Sequence, residues 1–106
     1  AVDTLIFDEI DTGISGKTAG MVADKMSSIS GEHQVICITH LPQIAAYADA
    51  HFVIEKNVIN GNTTTDIRLL DEDTSVGELA RMLGGTVITD AALDNARELK
   101  KLAGKY

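Results

Sequence analysis

Apolar residues fall in two patterns along this chain, short runs and stripes spaced three and four apart, and the two alternate. Val2 to Phe7 reads as an apolar strand closed by acids, with the look of a strand buried on both faces. Gly13 and Gly16 mark a turn, and Lys17 to Ile29 then carries Ala19, Val22, Ala23, Met26 and Ile29 at helical spacing. Ser30-Gly31-Glu32 ends that helix, and Gln34 to Thr39 is a second short buried strand. Pro42 suits the first turn of a short helix running through Ile44, Ala45, Ala46 and Ala48. His51 to Lys56 and Thr64 to Leu70 read as two more strands, with Asn60-Gly61-Asn62 between them as a hairpin signal. Ser75-Val76-Gly77-Glu78 has capping-box spacing ahead of an apolar stripe of Leu79, Met82 and Leu83, which Gly84-Gly85 breaks. Thr89 can cap a last helix with Ala92, Leu93, Ala96, Leu99 and Leu102 on its apolar face.

Strand–helix–strand order with short loops predicts an α/β fold with mostly parallel strands, right-handed crossovers and flanking helices, followed by the hairpin and C-terminal helices. Ligands in such sheets gather at the carboxyl ends of the strands. The unusual polar residues fall there: the first strand ends in Asp8-Glu9-Ile10-Asp11, the second in Thr39-His40.

Composition narrows this picture. The 106 residues suffice for one small domain, so 1–106 is expected to be a single lobe; 44% of them are hydrophobic and only 4% aromatic, so the core must be aliphatic. The formal charge of −7 argues against this stretch as a DNA-contacting face, because such faces neutralise phosphates with Lys and Arg. The lone Cys37, within Val35-Ile36-Cys37-Ile38, suits a small buried hydrophobe in a reducing cytoplasm. No apolar run approaches a membrane span and no leader-like pattern opens the chain, so a soluble, cytoplasmic protein with no membrane partner is expected.

Leu5-Ile6-Phe7-Asp8-Glu9 is an apolar strand closed by adjacent carboxylates, the Walker B pattern of nucleotide hydrolases. Mg²⁺ takes hard oxygen ligands and keeps several waters, a role for Asp8, directly or through water. Phosphoryl transfer needs a second carboxylate to orient and polarise the attacking water, a role for Glu9. A strand end dressed with solvated acids is the plain alternative for this pentapeptide. About thirty residues further on, the next strand ends at His40.

Acidic strand end, following loop and strand-end histidine, in this order, resemble the ABC ATPases: Walker B, D-loop and switch histidine. Phe7 to Gly16, Ile38 to Ala46 and Ala80 to Gly85 sharpen the likeness, and across essentially the whole chain it resembles the C-terminal lobe of the ATPase head of the RecN family, SMC-like ATPases of bacterial double-strand-break repair. The resemblance implies part of a P-loop (ABC-type) nucleotide hydrolase fold that binds ATP with Mg²⁺. In that frame Glu9 and His40 carry catalysis, His40 donating to the γ-phosphate, Asp8 serves the metal, and Asp11 reaches across a dimer. The implied partners are a second head, the N-terminal half of the same head, and DNA met through other parts of the parent. The implied location is the bacterial cytoplasm, at the nucleoid. Neither a phosphate loop nor a Leu-Ser-Gly-Gly-like signature occurs in the chain, so alone it is expected to be inactive.

Two other readings remain. Asp11 to Thr18 ends in Gly16-Lys17-Thr18 and could be taken for a phosphate loop of a small phosphotransferase, but Gly13 stands only three residues before Gly16 and three acids lie nearby. A non-catalytic dimerisation module of ABC-like shape is the other, against which stand the intact Asp8-Glu9 and His40. His33, His40 and His51 lack metal-ligand spacing. Asp71-Glu72-Asp73 reads as a solvated loop, and Lys100, Lys101 and Lys105 as charges favouring a helix C-terminus.

Overall fold

A computed structural model describes residues 3–8, 13–85 and 87–106. The first strand, β1 (Thr4–Asp8), lies parallel to β2 (Gln34–Ile38), pairing Thr4 with Gln34 through to Asp8 with Ile38. Between them runs α1 (Gly16–Ile29). Ser15 caps it: the hydroxyl oxygen accepts the Thr18 amide at 3.3 Å, meeting one of the donors a helix start leaves over.

Each of the two parallel strands alternates between covered and open positions. Leu5, Phe7, Val35 and Cys37 form the covered side, and Phe7, Val35 and Cys37 pack on a cluster of Ala19, Ala23, Met26 and Ile44. The expectation of strands buried on both faces is corrected here: Ile6, Ile36 and Ile38 on the other side are exposed, Ile6 by 66%. Within this chain nothing among the described residues covers them. The short α2 (Pro42–Ala45) follows β2, with Pro42 in its first turn as its fixed φ allows.

Next comes a hairpin, β3 (Phe52–Ile59) and β4 (Asn62–Leu69), joined by Asn60 and Gly61 with φ of 51° and 78°. Positive φ at both turn residues matches the right-handed twist of the flanking strands and forces an antiparallel return. The strands therefore divide between one parallel pair and one antiparallel pair in separate sheets, and the expected mostly parallel arrangement is corrected accordingly.

The last two elements, α3 (Glu72–Gly84) and α4 (Asp90–Leu102), enclose a second cluster of Ala46, Val76, Leu79, Ala80 and Ala96. Gly85, at φ 79°, ends α3, and Thr89 caps α4 by accepting the Ala92 amide at 3.1 Å. The cap of α3 is not Ser75. Asp71 Oδ1 accepts the Thr74 amide at 2.8 Å, so the acidic triplet read as a loop is the cap and first turn of the helix. Carboxylates there meet the positive end of the helix dipole, while Ser75 becomes interior and 2% exposed.

Lys100 also departs from expectation. It is buried at the end of α4, with Nζ 3.2 Å from Glu72 Oε1 in the first turn of α3. The pair joins the two helices end to start, which makes them antiparallel neighbours. Leu102, expected on the apolar face, is 72% exposed.

Candidate functional site

Parallel pairing in register sets the carboxyl ends of β1 and β2 side by side, with Asp8 opposite Ile38. Paired strands stand about 4.8 Å apart, so whatever leaves the end of one enters the same space as what leaves the other. Asp8 is the last residue of β1, with an exposed side chain. On the other strand, Thr39 and the exposed His40 follow Ile38 directly. Thr39 Oγ1 accepts the Leu41 amide at 3.0 Å, turning the chain into α2, whose first residue is Pro42. His40 thus sits on a tight strand-to-helix bend fixed from both sides. Glu9 and Asp11, expected to activate water and to reach across a dimer, lie outside the described residues.

The Gly16-Lys17-Thr18 stretch forms the first turn of α1. Its Thr18 amide is bonded to Ser15 Oγ, and Ser15 donates to Thr18 Oγ1 at 3.1 Å. A phosphate loop presents such amides to its ligand, whereas this one is turned to a neighbouring hydroxyl.

The three histidines sit apart. His33 precedes β2 and His40 follows it, so the strand itself separates them by on the order of 16 Å at 3.3 Å per residue. His51 lies at the base of the hairpin, where Nδ1 is 2.7 Å from Ser75 Oγ. Among the described residues no group of three His, Cys, Asp or Glu side chains is arranged to hold a metal ion. No helix among them is long and apolar enough to cross a membrane.

A second polar cluster escaped the sequence analysis. His51, Ser75, Lys100, Glu72, Asp49 and Lys105 line a cavity of about 150 Å³ at the junction of hairpin and helices. Within it Lys105 pairs with Asp49 and Lys100 with Glu72. Burial, and secondarily the Lys100 charge, lower the His51 pKa below its usual value, against an opposing pull from Glu78. No spacing pattern announces such a cluster, because its members come from loop, helix and tail positions far apart in the chain.

The parallel pair thus brings the acidic end of β1 and the histidine-bearing end of β2 to the same end of one small sheet. No family model matches the chain. A solved structure from work on ATP-driven dimerization and DNA-stimulated activation of SMC ATPases superposes with a TM-score of 0.62 at 24% identity, over 79% of this chain and 50% of that one. The chain therefore shares its fold with about half of that structure. Curated relatives carry the comparison further. The DNA repair protein RecN of Halalkalibacterium halodurans and that of Bacillus subtilis are each 46% identical over 102 residues, 96% of this chain. The RecN of Deinococcus radiodurans is 46% identical over 101 residues. By sequence the chain belongs to the RecN family across this segment. It spans 18% of the length of the first two of these relatives.

Proposed function

We propose that this chain is part of the ATP-binding and ATP-hydrolysing head of a RecN-like DNA double-strand-break repair protein, supplying its Walker B, D-loop and switch-histidine elements. The observation that carries this reading is the convergence of Asp8 and the His40 bend on one edge of the parallel pair, in a chain 46% identical to RecN. An exposed carboxylate at a strand end offers the hard oxygens that Mg²⁺ prefers, so Asp8 suits the metal, directly or through water. A Mg²⁺ held there would supply positive charge to offset the negative charge developing on the phosphates.

Glu9, one residue further on, orients the attacking water and draws off its proton, and His40 donates a hydrogen bond to the terminal phosphate. Asp11 contacts the opposite head of a homodimer. The phosphate cradle and signature motif come from elsewhere in the polypeptide, whose other parts meet DNA. The exposed apolar faces of both sheets agree with this reading, as surfaces that the rest of the head covers.

The experiment has two arms. In the complete protein, Glu9→Gln is expected to bind Mg²⁺-ATP but to lower kcat by about a hundredfold or more, the scale of a lost general base. In the 106-residue chain, calorimetry is expected to find no tight Mg²⁺-ATP binding. Hydrolysis by Glu9→Gln at the wild-type rate would remove Glu9 from its role as the base. Tight binding by the short chain, abolished by Lys17→Ala, would instead establish Gly16-Lys17-Thr18 as a phosphate loop.

A further inference from the structure

Gln43, in α2, makes an approach that the roles assigned above do not account for. A methyl group built on Gly16 would lie 3.0 Å from Gln43 Nε2 and 3.5 Å from Gln43 Cδ. The amide of Gln43 therefore sits against the backbone of the first residue of α1, in space that any larger residue at position 16 would contest. Gly16 is not among the glycines with positive φ, so the missing side chain serves this approach and not an unusual backbone. Gln43 Oε1 is buried and has no hydrogen-bond partner among the described residues.

Beneath the contact the two helix starts are one packed unit. Ile44 of α2 joins Ala19 and Ala23 of α1, with Ile14 and Leu41 packed against them. The first of these helices begins eight residues after Asp8 in sequence, and the second two residues beyond His40.

We propose that Gln43 is a positioning residue, whose amide, lodged against Gly16, couples the start of α1 to the bend that carries His40. The proposal rests on the functional reading above and adds the part that sets the histidine relative to α1. A side-chain wedge suits this task because α2 is a single short turn and meets α1 through aliphatic side chains, small alanines among them, that fix little of its orientation. A buried oxygen without a donor also favours any arrangement of the joint that brings one within reach.

The test is ATP hydrolysis by the complete protein. Gln43→Met keeps the length of the side chain and removes the amide; Gly16→Ala places a methyl group at the 3.0 Å contact. Each is expected to lower kcat by about tenfold, the scale of a misplaced catalytic group, while KM for ATP stays within about twofold and the melting temperature is unchanged. The double variant is expected to lose less than the product of the single losses, because both break one contact. A wild-type kcat in Gln43→Met overturns the coupling. So does a loss of kcat that tracks a falling melting temperature, which marks a packing role only. Glu9→Gln, assayed alongside, separates the two levels. If it abolishes hydrolysis while Gln43→Met is unaffected, the coupling alone falls; if it hydrolyses normally, the functional reading falls and takes the coupling with it.

Discussion

The imidazole of His51 meets Ser75 Oγ at 2.7 Å in a half-buried recess, with Lys100 and Glu78 in electrostatic reach. Burial and the lysine both disfavour a second positive charge there, so the folded-state pKa lies below the ordinary histidine value of 6.5. A group whose pKa falls on folding binds more protons when unfolded. Its stabilisation is complete above the unfolded pKa and is lost as pH falls from there through the folded value. The chain is therefore expected to melt at progressively lower temperature as pH drops from 7.5 toward 5, and His51→Gln is expected to flatten part of that slope. Equal slopes in both proteins would mean that other groups govern the acid limit. Lys100, buried beside it, stays paired to Glu72, and a residue placed by this kind of mutual satisfaction leaves no trace in a run of charges near a C-terminus.

Helix ends show which parts of the structure the sequence makes legible. Thr89 and Ser15 stand where the capping rule places them, and each accepts an amide three residues on. Asn60-Gly61 dictates a two-residue antiparallel turn from local backbone freedom alone. Ser75 misleads because Ser-x-x-Glu also occurs inside helices, and the competing acids at Asp71 to Asp73 bring both a cap and a favourable dipole interaction. Of the candidate site, the strand-end position of Asp8 and the bend at His40 follow from apolar run length and from Pro42. The Gln43 wedge does not, because closeness between two helix starts is a tertiary fact with no periodicity. Thr89→Ala is expected to cost about 1 kcal/mol, the usual loss of a threonine cap. For a chain of this size that lowers the melting temperature by about 4–8 °C, readable by circular dichroism, while Thr89→Ser stays close to wild type. An unchanged melting temperature in Thr89→Ala would mean that packing alone holds the start of α4.

For the molecule as a whole, the telling quantity is how much apolar surface the described residues leave open. The radius of gyration is 14.5 Å, against about 13 Å for a close-packed chain of this length. Ile6, Ile36 and Ile38 on the parallel pair, and Phe52, Ile54, Ile67 and Leu69 on one face of the hairpin, are all more than a third exposed. Strand residues of this type belong to surfaces covered on both sides, and left open they invite edge and face association. If the remainder of an ATPase head covers them, the same substitution has opposite consequences in two settings. In the 106-residue chain, Ile36→Lys is expected to keep the melting temperature within about 2 °C, the scale of an exposed-site change, and to raise the monomer fraction in sedimentation. In the complete protein the lysine would enter a covered sheet face, where an unpaired charge costs several kcal/mol, so the head is expected to unfold or aggregate. If Ile36→Lys is tolerated equally in both, the face is open in both. The sheet of this chain is then not completed by the rest of a head, and the division of the nucleotide site between two parts of one fold loses its structural support.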